Sequence, residues 1–372
     1  MSISIFLIII IITGIYVGYR AYITASINSR DPHRYISDEI YYVDSARRYL
    51  EYIFKVRVNE SMYSNNTNPD YFNLEHPPLG KYIIASSIAL CGDKPLCWRL
   101  PGIVEAALIP VLVGLSIIQS KDLPVSSTVK SLAGVTAALA AAADPILYLA
   151  GSVAMLDIHL AFFEALSLYL FLIGRRRLAL VAGGLAFSVK FSGAAVVLAI
   201  MCYDILTSER IRAIARRVSE DILIPFLTYL TALVPLMLYF TPKRLLAETL
   251  NALKWHTTSR PPGPPTSTPL GWIANANPFY YSYYPVAMAG ILNSLLHVTA
   301  LLLITPLAAY GVWRKSPSIA MGPLLYVGVL LTYLLVWVLG NHTFYSFYAV
   351  QLTPAMSLTL ASAVLASGAA GE

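Results

Sequence analysis

The segment Ile3–Tyr19 reads ISIFLIIIIITGIYVGY, and no charged residue interrupts it before Arg20. A helix that crosses the hydrocarbon core of a bilayer needs about 20 consecutive, predominantly apolar residues. The segment therefore predicts a membrane-spanning helix. Because no basic residues precede it and many similar runs follow, we interpret it as a span rather than as a signal peptide.

The composition extends this prediction to the whole chain. Hydrophobic residues make up 57% of the 372 positions, charged residues only 12%, and the mean hydropathy is +0.64. Soluble domains carry roughly 25% charged residues, so most of this surface must face lipid. The net charge of +6 comes from short basic clusters between apolar runs. That placement is typical of topology determinants and argues against nucleic-acid binding. We expect one all-α membrane domain over residues 1–372.

Further apolar runs predict about ten transmembrane helices in all. The block 178–207 is interrupted by Lys190 and Gly193. It is too long for one spanning helix and short for two, so we predict a tight hairpin of two abbreviated spans. The remaining runs cover residues 100–119, 131–149, 156–174, 222–240, 285–311, 317–339 and 344–367. His297 lies in the run 285–311, and we interpret it as a hydrogen-bonded core histidine.

Basic residues orient these spans. With ten spans, the short loops rich in Lys and Arg all fall on one side, which the positive-inside rule makes cytoplasmic. The opposite short loops hold Lys190 as their only Lys or Arg. We therefore predict a multi-pass protein of the cell membrane with both termini cytoplasmic. Two long segments, 20–99 and 241–284, are then external.

These two external segments differ from the rest of the chain. The first holds ten Lys/Arg and nine Asp/Glu residues. Its apolar residues recur at helical spacing, as at Ile40, Val43 and Leu50, which suits amphipathic helices lying on the membrane surface. Long loops within a compact protein are usually functional. The second segment is rich in Trp, Tyr and proline, namely Pro261, Pro262, Pro264, Pro265 and Pro269.

The chain has three cysteines, Cys91, Cys97 and Cys202. The spacing of Cys91 and Cys97 allows a small external disulfide loop, but we favour a pair of ordinary buried thiols. Neither a second CxxC nor a paired His motif exists, which excludes a zinc site. No cluster of metal ligands is visible, so we predict a protein that needs neither metal nor cofactor.

The first external segment contains two motifs in a fixed order. The acidic pair Asp38-Glu39 follows the first span, and residues 72–81 read FNLEHPPLGK. Arg99-Leu100-Pro101 then enters the next predicted span. This order resembles the protein O-mannosyltransferase family, a branch of the GT-C glycosyltransferases that use polyprenyl-phosphate sugars. The resemblance implies a GT-C bundle with external catalytic loops.

Weaker matches continue the resemblance along most of the chain. Met155-Leu156-Asp157 resembles the acidic residue at the start of the family's fourth span. Residues 184–193, GLAFSVKFSG, are similar to its Gly-Leu-Ala…Lys-x-x-Gly hairpin, and Trp255-His256 resembles the loop after its seventh span.

The resemblance implies an inverting transfer of a sugar, mannose in that family, from polyprenyl (dolichyl) phosphate to a hydroxyl. It implies Asp38 as the base, with Glu39 placing either the acceptor or Asp38. Assembly into a homo- or heterodimer is a further expectation. The segment 241–284 is too short for the β-trefoil (MIR) domain of eukaryotic members, which suits an archaeal member. The acceptor therefore stays open: a protein Ser/Thr, a lipid-linked glycan or another lipid.

The residue types fit this chemistry independently. A carboxylate with a raised pKa is a suitable general base, and a neighbouring like charge is one way to raise it. Cations aimed at the developing phosphate charge are often the largest catalytic contribution. The candidate donor-binding residues are the cations Lys81, Arg99 and Lys190, with His76 and His256 as hydrogen-bonding groups and Asp157 as a partner of Lys190.

Other interpretations stay open for three of these residues. Lys81 at a helix start can extend its ammonium to the membrane interface. Arg99 at a span entrance can bind a lipid headgroup, and Asp157 can cap its helix. A lipid or solute transporter is the alternative function, but such folds show paired repeats and charges at midplane.

Overall fold

The computed structural model describes residues 3–31, 33–65, 68, 70–259 and 265–371. The described chain is helical, and its one sheet pairs two short antiparallel strands, β1 (Tyr280–Ser282) and β2 (Met288–Ala289). The helices are α1 (Ile3–Asn28), α2 (Glu39–Arg48), α3 (Leu79–Cys91), α4 (Pro95–Ile118), α5 (Ser127–Ala142), α6 (Pro145–Gly151), α7 (Leu156–Leu172), α8 (Arg176–Val189), α9 (Ala194–Thr207), α10 (Ile211–Phe240), α11 (Pro242–Thr257), α12 (Pro269–Ile273), α13 (Ser294–Trp313), α14 (Pro317–Val338) and α15 (Leu352–Gly371). A π-helical segment (Tyr49–Ile53) and 3₁₀ turns (Glu60–Met62, Phe191–Gly193 and Ser346–Gln351) complete them.

Six of the described helices are long and apolar enough to cross a membrane, and the bent pair α5–α6 makes a seventh if the two helices count as one span. This confirms a multi-pass, all-α membrane fold. Each of the ten expected spans overlaps at least one helix, but α7, α8 and α9 have only 17, 14 and 14 residues. The expected start of the span 285–311 is wrong, because α13 begins only at Ser294 and β2 lies before it. The count of ten crossings therefore stays a prediction.

The expected continuous span 131–149 is wrong, because α5 and α6 meet at an angle of 61°. Pro145 removes a backbone donor and disfavours the helical conformation of the residue before it. That residue, Asp144, accepts hydrogen bonds from Asn293 N, His297 Nε2 and Thr353 Oγ1 at 2.7–2.9 Å. His297 is thus a buried, hydrogen-bonded core histidine, as its apolar surroundings predicted.

Small residues allow α1 and α4 to approach each other closely. A Cβ on Gly14 of α1 would lie 2.5 Å from the carbonyl oxygen of Ala107 in α4. Close backbone approach through small residues is a common way to pack helices in a membrane, where burial from water supplies no driving force. α4 is thereby fixed against α1, and Arg99 near its start lies beside the end of α1.

The first external segment is more buried than its amphipathic pattern predicts. α1 continues past Tyr19 to Asn28, so the loop begins later than expected. Most of α2 is enclosed, and Arg47 is buried in ion pairs with Asp44 at 2.6 Å and Asp93 at 2.8 Å. The helix α2 is therefore largely buried, and its position relative to the membrane stays a prediction. It packs inside the loop, where its polar face is satisfied by partners instead of water.

The predicted hairpin at 178–207 is confirmed as two short helices, α8 and α9. Between them, Lys190 is extended and residues 191–193 form a single 3₁₀ turn. Gly193 is required there, because a Cβ would lie 2.3 Å from the backbone of Ala186. Because of this break, Lys190 belongs to neither helix, and its side chain lies beside residues of the two external segments.

In the second external segment, α11 follows Thr241, whose hydroxyl caps the helix, and ends at Thr257, one residue after His256. Its highly exposed face contrasts with the buried α2. Pro261, Pro262 and Pro264 lie outside the described residues.

Cys91 and Cys97 form a disulfide, so the expectation of two ordinary thiols is wrong. The bond closes the turn between α3 and α4, where Gly92 has a φ of +98° that glycine adopts without strain. Cys202 is a free, exposed thiol.

We expect purified protein, denatured without reductant, to react with one maleimide per chain, at Cys202. After reduction, all three cysteines should react. Mass spectrometry of the labelled protein measures both numbers. Three labels before reduction would contradict the disulfide.

Candidate active site

A cavity of about 650 Å³ lies where the two external segments meet the break between α8 and α9. It contains charged, imidazole and aromatic groups together with a few apolar side chains. The residues that line it are Asp38, Tyr41, Tyr42, Tyr71, Asn73, Glu75, His76, Lys190, Phe191, Ser192, Leu253, Trp255, His256, Thr257, Thr332, Tyr333, Val336, Asn341, Thr343, Phe344, Tyr345 and Tyr348. Four of the eight residues predicted from sequence are among them: Asp38, His76, Lys190 and His256.

Asp38 precedes α2 at its N-cap position, but its side chain does not cap the helix. Within the described residues, no hydrogen bond is made to its carboxylate, which lines the cavity instead. Burial raises the pKa of Asp38 from its usual range to about 6; the Lys190 cation opposes this rise and the Asp157 carboxylate adds to it. A carboxyl that titrates near neutral pH can accept a proton from a hydroxyl.

Glu39 points away from this cavity although it is the next residue. Its carboxylate makes a two-pronged pair with Arg99, in which Nε and Nη2 each donate at 2.7 Å. The backbone N–H groups of Ala154 and Ile36 also donate to it, at 2.7 and 2.8 Å. Of the two roles expected for Glu39, this geometry favours placing Asp38 over contacting an acceptor.

Arg99 is fully buried and does not line the cavity. Besides Glu39, it donates to Ser29 Oγ at 3.0 Å and to the carbonyls of Arg34 and Ala25 at 3.3 and 3.5 Å. These bonds direct its guanidinium into the protein. The position therefore does not favour the phosphate-binding role, or the headgroup role, that sequence suggested for Arg99.

Lys81 likewise does not line the cavity, and it binds the neighbouring segment 73–76 instead. Its ammonium donates to the carbonyl and side-chain oxygens of Asn73 at 2.5 and 3.2 Å and to the carbonyl of His76 at 2.7 Å. Burial lowers the pKa of Lys81 to about 7. Its three donors are thus directed at the segment 73–76, and its side chain is buried instead of extending to the membrane interface.

Lys190 is the one predicted cation that the described structure places in the cavity wall. Its ammonium donates to Asp157 Oδ1 at 2.8 Å and lies 4.0 Å from the ring centre of Tyr348. Asp157 does not line the cavity. The expected pairing of Asp157 with Lys190 is confirmed, and it fixes the direction of the ammonium. Lys190 and Asp38 line the same cavity with opposite charge.

The two predicted histidines contact each other across the cavity, with ring centres 5.0 Å apart. His256 Nε2 donates to the carbonyl of Glu75 at 3.0 Å, which ties α11 to the first external segment. Burial lowers the pKa of His76 well below its usual range, and the Lys190 cation adds to this effect. His76 is therefore a neutral hydrogen-bonding group at neutral pH.

Sequence reasoning missed the aromatic wall of the cavity. Tyr333 of α14 stacks on Tyr348, with ring centres 5.6 Å apart and planes 13° apart. The predicted span 344–367 begins with a 3₁₀ turn (Ser346–Gln351) instead of an α-helix, and Tyr345 and Tyr348 at this turn line the cavity. The aromatic run FYSFY at residues 344–348 was the available signal.

The described residues contain no group of three or more His, Cys, Asp or Glu side chains placed to hold a metal ion. Whether the protein acts without metal stays a prediction.

Comparison with solved structures shows the fold. ArnT from Cupriavidus metallidurans, bound to undecaprenyl phosphate, superposes with a TM-score of 0.59 at 17% identity over 95% of this chain and 60% of ArnT. The archaeal oligosaccharyltransferase AglB from Archaeoglobus fulgidus, in complex with an inhibitory peptide and a dolichol-phosphate, gives 0.54 at 12% identity over 95% of this chain and 50% of AglB. Both are GT-C membrane proteins. The chain spans about six tenths of the length of ArnT.

Sequence comparison adds the family. A search of curated proteins finds no match. The model of the dolichyl-phosphate-mannose-protein mannosyltransferases matches residues 40–251, which is more than half of the chain and begins directly after Asp38 and Glu39. The matched region contains His76, Lys190 and most of α11. The chain belongs to the dolichyl-phosphate-mannose-protein mannosyltransferase family.

Proposed function

We propose that this protein transfers a sugar, mannose, from a polyprenyl (dolichyl) phosphate to a hydroxyl of an acceptor, a protein Ser or Thr. The observation that carries the proposal is that Asp38 and Lys190 line one cavity, with the carboxylate of Asp38 free of hydrogen bonds from the described residues. A base and a cation in one cavity are the two groups that such a transfer needs.

In the proposed reaction, Asp38 takes the proton of the acceptor hydroxyl. The oxygen of that hydroxyl attacks the anomeric carbon of the sugar at the same time. The bond between that carbon and the phosphate oxygen breaks, and the phosphate leaves with the electron pair. Lys190 stabilises the departing phosphate, and neutral His76 donates a hydrogen bond to phosphate or sugar. His256 donates its Nε2–H to the carbonyl of Glu75 and contacts the ring of His76, so it supports His76. A single displacement inverts the anomeric centre and needs no covalent intermediate.

The roles of the remaining predicted residues follow from their contacts. Glu39 and Arg99 are positioning residues, because their bonds hold the turn that carries Asp38. Asp157 positions Lys190, and Lys81 positions the segment 73–76 that carries His76.

Two comparisons favour a polyprenyl-phosphate donor. ArnT is seen with undecaprenyl phosphate and AglB with a dolichol-phosphate, and both share the fold of this chain. The family description supplies mannose and a protein acceptor. We further propose that the cavity opens on the external side of the cell membrane, that both termini are cytoplasmic, and that the protein works as a homo- or heterodimer.

The proposal is tested with purified protein, labelled polyprenyl-phosphate mannose and a Ser/Thr peptide. Asp38→Asn removes the base and should lower kcat by about a hundredfold or more with little change in the donor KM. Lys190→Gln should instead raise the donor KM, because the phosphate loses its cation.

Asp31→Asn and Lys315→Gln are the matched controls, since they remove the same charges at exposed positions and should transfer sugar at the rate of the unmodified protein. Equal product from Asp38→Asn would show that Asp38 is not the base.

The same assay has an expected pH dependence. Because burial raises the pKa of Asp38 to about 6 and the base acts when ionised, kcat should rise with pH, reach half its maximum near pH 6 and level off above it. The donor phosphodiester stays ionised over this range. A rate that is flat from pH 5 to 8, with Asp38 intact, would contradict the assignment.

A further inference from the structure

A second cavity, of about 360 Å³, lies beside the first, between the segment 70–75 and one face of α11. Tyr71, Asn73, Glu75 and Trp255 line both cavities, so the two share a wall. The other residues that line the second cavity are Asp70, Phe72, Leu74, Arg244, Glu248, Asn251 and Ala252. The proposed mechanism uses none of these other residues.

The second cavity is acidic. Asp70, Glu75 and Glu248 contribute three carboxylates, and none of them forms an ion pair with a described residue. Arg244 is the single cation among the described lining residues, and it is exposed, with its guanidinium 4.6 Å from the ring centre of Phe240. With three carboxylates and one guanidinium, the lining carries a net negative charge, which raises the local concentration of positive charge.

Glu75 lies in the shared wall and has an unsatisfied group. Its Oε2 is buried and has no hydrogen-bond partner among the described residues. A buried acceptor atom without a donor is unfavourable, and a bound molecule that donates to it would relieve this cost. The carboxylate thus marks the point where a ligand would pass from one cavity to the other.

Several polar residues of α11 lie on the helix face that lines this cavity. Positions 244, 248, 251 and 255 recur at three- and four-residue spacing and therefore share one helix face. Along this face lie an amide, a carboxylate and an indole, in Asn251, Glu248 and Trp255. Such a strip offers hydrogen bonds to an extended chain and an apolar surface beside them.

We propose that the second cavity is the acceptor subsite and that its carboxylates select a polypeptide segment carrying positive charge next to the acceptor hydroxyl. This deepens the proposed function and rests on it for the role of the hydroxyl, which crosses the shared wall toward Asp38. A lipid-linked glycan with a diphosphate is disfavoured, because it would bring negative charge to an acidic cavity.

Three fluorescent peptides test the selection. They are identical except for Lys, Gln or Glu on both sides of one central Ser. Their binding to the purified full-length protein is measured by anisotropy without donor. We expect the Lys peptide to bind at least about fivefold more tightly than the Glu peptide, with Gln between, since complementary charge sets specificity. Raising the salt concentration should reduce the difference.

The double variant Asp70→Asn, Glu248→Gln should bind all three peptides with nearly equal affinity. Glu209→Gln, which makes the same change on an exposed carboxylate in the chain's polar linker between α9 and α10, is the matched control and should keep the preference. Equal binding by the unmodified protein, no binding of any peptide, or a preference that survives the double variant would overturn the proposal.

A competition arm separates the other acceptor class. A polyprenyl-diphosphate glycan that displaces the Lys peptide, and does so equally well in the double variant, would assign the cavity to a lipid-linked acceptor and overturn the proposal. Transfer of sugar without any charge preference would overturn this inference alone. A charge preference in binding without any transfer of sugar would overturn the proposed function alone.

Discussion

The buried pair between Glu39 and Arg99 is the interaction on which the candidate site depends. It joins the turn before α2, the end of α1, the start of α4 and the segment before α7. A buried ion pair loses hydration on both sides and is stable only when its remaining bonds are also satisfied. Here two backbone N–H groups complete the carboxylate. Removing one partner would leave an uncompensated buried charge, at a cost of about 3–5 kcal/mol.

A second buried pair, between Asp157 and Lys190, forms the opposite side of the same cavity. Neither Glu39 nor Arg99 lines the cavity, whereas Lys190 of the second pair lies in the cavity wall. Asp38 and Lys190 therefore come from distant parts of the chain and are each held by a neighbour that stays outside the cavity. Lys81 plays a similar part for His76 through backbone carbonyls. In the first external segment, Asp38 and Glu75 line the cavity. Glu39, Lys81 and Arg99 support it through their hydrogen bonds.

The sequence predicted the membrane fold, the broken hairpin and the cavity residues Asp38, His76, Lys190 and His256, because each carries a local or motif signal. It did not separate cations that line the cavity from those that support it. Arg99 and Lys81 have the same chemistry as Lys190, and only tertiary contacts show that their donors are already used.

Local cues existed for two other differences. Pro145 marks the break after α5, and the aromatic run at 344–348 marks the cavity wall. The burial of α2 had no such cue, because its partners Asp93 and Trp98 lie about fifty residues away along the chain. The disulfide was undecidable from sequence for another reason: a separation of six residues allows either a bond or two free thiols.

Arg99 and Glu39 position Asp38 in this structure without lining the cavity. Their role is measured by the affinity for polyprenyl phosphate of the double variant Glu39→Gln, Arg99→Gln, which removes both charges and leaves two groups that can still hydrogen-bond. We expect an affinity within about threefold of that of the unmodified protein, together with a lowered kcat. A loss of donor affinity of tenfold or more, in protein that remains folded, would show that Arg99 binds the phosphate.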